Sequence, residues 1–421
     1  MKIQKTQFKN GLRVILVPMQ GTKTASVHIM VGAGSKYETK KNNGISHFLE
    51  HMFFKGTKKR PNTLAIAETL DRVGGSYNAF TSEEHTGYYA KVNSKNLDLA
   101  LDWVWDIFLN STLPEIEIER EKGVITEEIN MYQDTPMSYI RFLFSKLLYK
   151  DQPAGWMISG SKENIASFKK KDFIDYMDKH YKAENTVVCI AGNIDKNLKS
   201  KLENQEYFKN IKTGNAQDKK KVDEQQNKPD ILIHKKQTDQ THFCLGVRGY
   251  DLSHPDKYAL AMLGTLLGGM MSSRLWIAVR ERHGLAYYVH TQTEHQTDTG
   301  CLVTQAGVDN NKADQAIKII LAEYAKLRTE KVKDQEFKKV KENIKGKMAL
   351  ELESSDSVAS WVAAQEILKK EILTPDQVFR KIDAVSASDI QRIAKDVFQN
   401  KKLNLAVIGP NSIKINQNLS F

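Results

Sequence analysis

The sequence predicts two duplicated α+β domains, each a mixed sheet covered by helices, joined by a linker. Three observations point there. Strand-like and helix-like stretches are interspersed without the strict alternation that marks a parallel α/β sheet. At 421 residues the chain exceeds the roughly 250–300 residues over which a single core usually grows. The two halves also close on similar apolar runs, VVCIAGN at 187–193 and LAVIGP at 405–410. The join is placed at 212–229, KTGNAQDKKKVDEQQNKP, which has almost no apolar residues and ends on a proline. This gives domains at 1–211 and 230–421.

In order, the chain opens on a strand pair around the Asn10-Gly11 turn. The alternating, β-branched stretch Thr24 to Gly34 reads as a half-buried strand. Helices are expected near 44–57 and over 61–73, then a Gly74-Gly75 turn and two strands joined near Ser82 to Glu84, the first at 76–80. Helical periodicity follows over 97–109, 114–132, 137–148 and most of 162–181, and 185–193 reads as a buried strand. After the linker come strands at 230–236 and 242–248, a long helix opening near His254-Pro255, and further strands to 308. Helices are expected to about residue 370, with a closing strand at 404–410.

Composition excludes several function classes. No apolar run approaches the roughly 20 residues of a membrane span, and the start lacks the layout of a secretory signal. Cys189, Cys244 and Cys301 are too few and too scattered for a disulfide framework or a CxxC metal site. They read as core thiols in a reducing, cytoplasmic compartment. The net charge of +11 comes from lysines spread along the chain without aromatic interleaving, so a nucleic-acid partner is not expected.

The chemistry concentrates in GISHFLEHMFFKGT at 44–57. On a helix His47 and His51 share a face, and Glu50 stands beside them. Two imidazoles suit zinc, and a catalytic zinc takes three protein ligands, so one more must come from elsewhere. Glu50 is better placed to take a proton from water at the metal than to bind the metal. A pair of histidines four apart can also be an accident among 11 histidines, so the motif needs a partner. EREKGVITEEINMY at 119–132 supplies one: Glu121 and Glu128, seven apart, fall on nearly one line of a helix. Val124, Ile125 and Tyr132 lie along that line, so Glu128 is expected to face inward and Glu127 to face solvent. His28 reads as a packing residue, and His85, between two strands, as a surface residue rather than a ligand.

HFLEH at 47–51 with a glutamate 77 positions after His51 resembles the inverzincins, the pitrilysin-type zinc metallopeptidases. The likeness is strongest to their short-chain branch of mitochondrial and bacterial processing peptidases. MFFKGT, GGSYNAFTSEEHTGYY, EKGVITEEINMYQDTP and SSRLWIAVRERHGLAYYV resemble further family blocks in family order. The resemblance implies a zinc-dependent endopeptidase with His47, His51 and Glu128 as ligands and Glu50 as general base. Glu121 would orient a ligand histidine. Substrate would add as an extra strand beside 76–80, which carries Asn78 and Ala79, since main-chain bonds hold any extended peptide. Arg280 and Tyr287 would bind substrate, the tyrosine stabilising the oxyanion. The resemblance also implies a clam-shell dimer, a homodimer or a pair with a related subunit, around a chamber for unfolded peptides or flexible presequences.

Two rival readings share these residues. A non-haem iron oxygenase also uses two histidines and a carboxylate, but has no need of Glu50 at that spacing. A catalytically inactive structural subunit of the same fold, like the core proteins of a respiratory complex, would have lost parts of the metal motif, all of which this chain keeps.

Overall fold

Runs buried on both faces make the central strands of this protein nearly continuous in apolar residues, and helices cover both sides. The structure, a computed structural model, describes residues 1–203, 208, 210–413, 415, 416 and 418–421. Residues 204–207 and 209 of the 1–211 segment, and 414 and 417 of the 230–421 segment, lie outside the described residues.

The first half runs β1 (Gln4–Gln7), β2 (Arg13–Pro18), β3 (Thr24–Val31), α1 (Ile45–Met52), α2 (Thr63–Asp71), β4 (Ser76–Thr81) and β5 (Thr86–Asn93). It continues with α3 (Leu97–Asn110), α4 (Glu115–Asp134), α5 (Pro136–Tyr149), α6 (Lys162–Ser167), α7 (Lys170–His180), β6 (Thr186–Gly192) and α8 (Leu198–Glu203). Residues 212–229 form neither helix nor strand. Then follow β7 (Asp230–Lys235), β8 (Gln240–Arg248), α9 (Lys257–Gly268), a π-helical stretch (Trp276–Arg282), β9 (Ala286–His295) and β10 (Gly300–Asp309). The chain closes with α10 (Ala313–Thr329), α11 (Asp334–Glu351), α12 (Ser355–Lys369), α13 (Pro375–Ala384), α14 (Ala387–Val397) and β11 (Leu403–Gly409).

Helices were expected only to about residue 370, and α13 and α14 extend that reading. Their signals are Pro375 at a first helical position and a capping box in which Ser386 and Asp389 satisfy each other's backbone N–H groups. The stripe Ile390, Ile393, Ala394, Val397 then packs inward.

The sheets repeat one plan. The first has the order β1-β2-β6-β3-β5-β4, the second β7-β11-β8-β10-β9, and among the described residues only β2–β6 and β7–β11 pair in parallel. The similar runs VVCIAGN and LAVIGP are largely β6 and β11, which hold the same position in each sheet. In the same scheme β4 and β9 are the corresponding outer strands.

The chain divides into two compact units, neither of them contiguous. One comprises Met1–Asn130, Trp156–Lys220 and Ala349–Thr374; the other Met131–Gly155, Lys221–Met348 and Pro375–Phe421. Each half thus lends a helix to the opposite sheet, which distinguishes these units from contiguous segments 1–211 and 230–421. In the first unit, Ala25, Val27, Ile29 and Val31 of β3 join a core built with α1, α3, α4 and α7. The opposite face, with Ile15, Met30, Val187 and Cys189, is covered by Val358, Ala359, Val362 and Ala363 of α12. Polar ties fix that helix: fully buried Glu366 meets Arg13 at 3.1 Å and Lys5 at 2.7 Å, and Ser355 Oγ bonds Thr24 and Ser26. In the second unit, α9, α10 and α14 cover one sheet face, and Ile140, Leu143, Phe144 and Leu147 of α5 cover the other.

The three cysteines are free and buried, with burial pushing their thiols up. His28 is buried and stacks on Tyr89 with ring centroids 4.8 Å apart, as a packing residue would. No described helix is long and apolar enough to cross a membrane.

Candidate metal centre

Helix α1 is built to turn one polar face outward. Ile45, Phe48, Leu49 and Met52 are buried, Phe48 against Phe168 and Phe173, which leaves His47, Glu50 and His51 on the remaining arc. The helix has an unusual start. Gly44 has φ +101, and a Cβ there would lie 2.8 Å from Gly160 Cα, so only glycine fits. The cap comes from outside the helix: the Glu38 carboxylate accepts the N–H groups of Gly44 and Ser46, both at 2.8 Å, and the Asn43 amide at 2.9 Å. Burial raises the Glu38 carboxyl above its ordinary range against the lowering effect of these bonds. A carboxylate at a helix N-terminus also complements the helix dipole.

Helix α4 brings the third group. Its buried stripe is Ile118, Glu121, Ile125 and Ile129. The expectation that Val124 and Tyr132 share the inward face is corrected: they are 53% and 39% exposed. A line of residues seven apart drifts by about 20° per repeat, and the stripe follows the three- and four-residue spacing instead. Glu128 consequently sits at the border of core and solvent, half-buried, while Glu127 is exposed.

His47, His51 and Glu128 converge, with one ligand atom of each within 4.8 Å of the others. The two Nε2 atoms are 3.3 Å apart, His47 Nε2 lies 3.5 Å from Glu128 Oε1, and His51 Nε2 lies 3.7 Å from Glu128 Oε2. Ligands about 2.0–2.1 Å from one tetrahedral zinc lie about 3.3–3.4 Å apart, so this donor triangle fits the ion. Charge fits as well. The hydrogen bond with His47 holds the Glu128 carboxyl below its ordinary range; burial opposes this. Burial lowers the His47 imidazole, but the bond with Glu128 and the charges of Glu128, Glu50 and Glu38 outweigh it and leave it raised.

Behind the triangle, His51 Nδ1 donates to Glu121 Oε1 at 2.8 Å, which leaves Nε2 with its lone pair facing the other donors. Lys55 Nζ lies 2.6 Å from Glu121 Oε2. Burial raises Glu121, which is 4% exposed, but His51 and Lys55 outweigh it and keep the carboxyl below its ordinary range. Sequence reasoning missed Lys55, although its place four residues after His51 was a usable signal. Glu50 is half-buried beside the histidines, and its Oε2 accepts a hydrogen bond from Thr81 Oγ1 at 2.6 Å. Thr81 was also missed.

Strand β4 is the outermost strand of its sheet. Asn78 is exposed, Ala79 is buried, and Asn78 Oδ1 accepts the Ala79 N–H at 2.9 Å. His85, read as a surface residue, is instead half-buried with its ring bonded to Ser82, and burial lowers it to about 4. Arg280 and Tyr287 belong to the second unit. There the Arg280 guanidinium lies 4.2 Å from the Trp276 ring centroid and 5.8 Å from that of Tyr287, whose side chain is 77% exposed. The π-helical turn brings Trp276 and Arg280 to one side.

Comparison with known proteins places the chain in a family. Residues 13–161 match the family model described as Insulinase (Peptidase family M16), and residues 167–344 match the Peptidase M16 inactive domain. A Bacillus subtilis protein named uncharacterized zinc protease YmxG is 37% identical over 409 residues, 97% of this chain and 98% of its own length. A protease from Helicobacter pylori of known structure is 25% identical, with a TM-score of 0.91 over 97% of this chain and 99% of that one. A chain of Complex III2 from Candida albicans, 20% identical, has a TM-score of 0.83 over 96% of this chain and 95% of its own, a likeness of fold alone. The chain belongs to peptidase family M16, the pitrilysin-type metalloproteases whose cofactor is zinc.

Proposed function

We propose that this protein is a zinc-dependent endopeptidase acting on unfolded peptides or flexible presequences inside a closed chamber. The observation that carries the reading is the convergence of two imidazole nitrogens, 3.3 Å apart, on the Glu128 carboxylate, whose Oε1 lies 3.5 Å from His47 Nε2 and whose Oε2 lies 3.7 Å from His51 Nε2, with Glu50 beside them. His47, His51 and Glu128 hold zinc, and Glu121 orients His51. Bound zinc supplies Lewis acidity, which makes water a stronger acid and stabilises negative charge on a carbonyl oxygen. Glu50 accepts the proton of the attacking water and passes it to the leaving amine.

The peptide pairs with the outer edge of β4 at Asn78 and Ala79, which selects extended chains irrespective of their side chains. Arg280 binds a substrate carbonyl and Tyr287 stabilises the oxyanion. The segment 1–211 is the catalytic domain and 230–421 the substrate-binding domain. Two copies pair with two-fold symmetry, so that Arg280 and Tyr287 of one subunit serve the zinc site of the other. The buried free thiols fit a reducing, cytoplasmic compartment. An inactive structural subunit would not need a complete donor set, and that favours the enzyme.

The test is Glu50→Gln, which keeps size and loses the base. Zinc content should be unchanged and peptide hydrolysis should fall by at least ~10²-fold. Near-normal turnover would overturn the reading.

A further inference from the structure

The end of β4 does two things at once. Its outer edge lies open in the sheet order, and its last side chain, Thr81, reaches back to α1, where its hydroxyl donates to Glu50 Oε2 at 2.6 Å. Such a distance belongs to the short, charge-assisted class of hydrogen bond. A glutamate side chain turns about three bonds, so tying one carboxylate oxygen fixes the direction of the other. Alternation along the strand puts Tyr77, Ala79 and Thr81 on the same side, so the hydroxyl points inward while the backbone edge remains available.

The donor is itself held in place. The turn after Thr81 is closed by Ser82 N–H to His85 O at 2.9 Å. It is clamped to the 34–36 segment by Ser35 N–H to Ser82 O at 3.2 Å and Lys36 N–H to Glu83 O at 2.8 Å. Gly34 allows that contact, since a Cβ there would lie 2.2 Å from Ser82 O. A buried Lys36–Glu84 ion pair at 3.0 Å closes the same corner. The donor is therefore carried by a braced corner of the fold rather than by a free loop.

We propose that Thr81 is a positioning residue that sets the Glu50 carboxylate relative to the strand on which the peptide is laid. One strand then holds both the substrate backbone and the base, so the distance from carboxylate to scissile carbonyl is fixed by β4. This inference rests on the reading of Glu50 as the base and of β4 as the peptide edge.

Thr81→Val removes the hydroxyl at nearly constant shape, and Thr81→Ser keeps it. Thr81→Val should lower kcat by about tenfold or more, the scale of a misdirected catalytic group, with KM, zinc content and Tm unchanged. Thr81→Ser should stay within about threefold of wild type. The second readout does not depend on turnover. On a Glu50→Gln background, the Kd for a fluorescent unfolded peptide should be the same with Thr81 or with Val in its place. Unchanged kcat in Thr81→Val, or equal losses in the Ser and Val variants, overturns the proposal. So does a peptide Kd that weakens as much as kcat/KM falls, because the hydroxyl would then serve the strand and not the base. An active Glu50→Gln protein removes the underlying reading, whereas an inactive one beside a fully active Thr81→Val removes only this inference.

Discussion

Glu121→Gln tests how much of the metal site lies behind its ligands. The wild-type carboxylate is 4% exposed and holds His51 Nδ1 at 2.8 Å and Lys55 Nζ at 2.6 Å. The amide keeps an oxygen that can accept from one of these groups. It loses the charge that steadies both and sets its own N–H₂ against a donor. Groups of this kind typically contribute 10–100-fold to metal affinity, about 1.4–2.7 kcal/mol. Zinc affinity, measured by competition with a chromophoric chelator at fixed pH, should weaken by that factor. The fold should persist, because the stripe Ile118, Ile125, Ile129 is untouched. Affinity within twofold of wild type would refute the argument that Glu121 sets the tautomer and direction of His51.

Glu128→Gln should lose zinc by elemental analysis while Glu127→Gln, on the exposed side of α4, should retain it, and the reverse outcome would move the third ligand by one residue. If sites are shared between subunits, mixing Glu50→Gln and Tyr287→Phe proteins under subunit exchange should restore about half of wild-type activity per heterodimer. Absence of recovery, with heterodimers detected by native mass spectrometry, would mean that Tyr287 serves its own chain or no site at all. His28 gives a pH prediction. Burial lowers it from 6.5 to about 3, against the raising effect of Asp356, so it folds neutral. Its contribution to stability is complete above pH 6.5 and is lost as pH falls towards 3. Between pH 7 and 5 the loss is roughly 2 kcal/mol. Denaturant unfolding at the two pH values should show that extra drop in wild type and not in His28→Leu, and equal drops would contradict it.

The angular spacing of a helix is a local property, which is why HFLEH could be read as a cluster without coordinates. Positions 47, 50 and 51 share a face in any α-helix, and the buried set Ile45, Phe48, Leu49, Met52 leaves that face open. The same rule distinguished Glu128 from its neighbour Glu127. Alternation and turn residues marked most strands, and the paired endings at β6 and β11 pointed to a duplicated pair of α+β domains, whose shared strand order only the structure shows.

Where a segment packs is not a local property. The apolar stripe of α12 suits either sheet, and its place in the first unit follows from partners hundreds of positions away, such as Arg13 and Lys5 around Glu366. The cap of α1 by Glu38, the Lys55 ion pair behind Glu121 and the Thr81 bond to Glu50 likewise join groups on separate elements. Even within α4, periodicity did not decide that Val124 and Tyr132 face solvent, because the inward direction is set by what the helix packs against. The sequence by itself determined the kinds of groups that meet at the candidate metal site. Tertiary packing decided which groups stand behind them, since burial and hydrogen bonding depend on elements that approach only once the chain has folded.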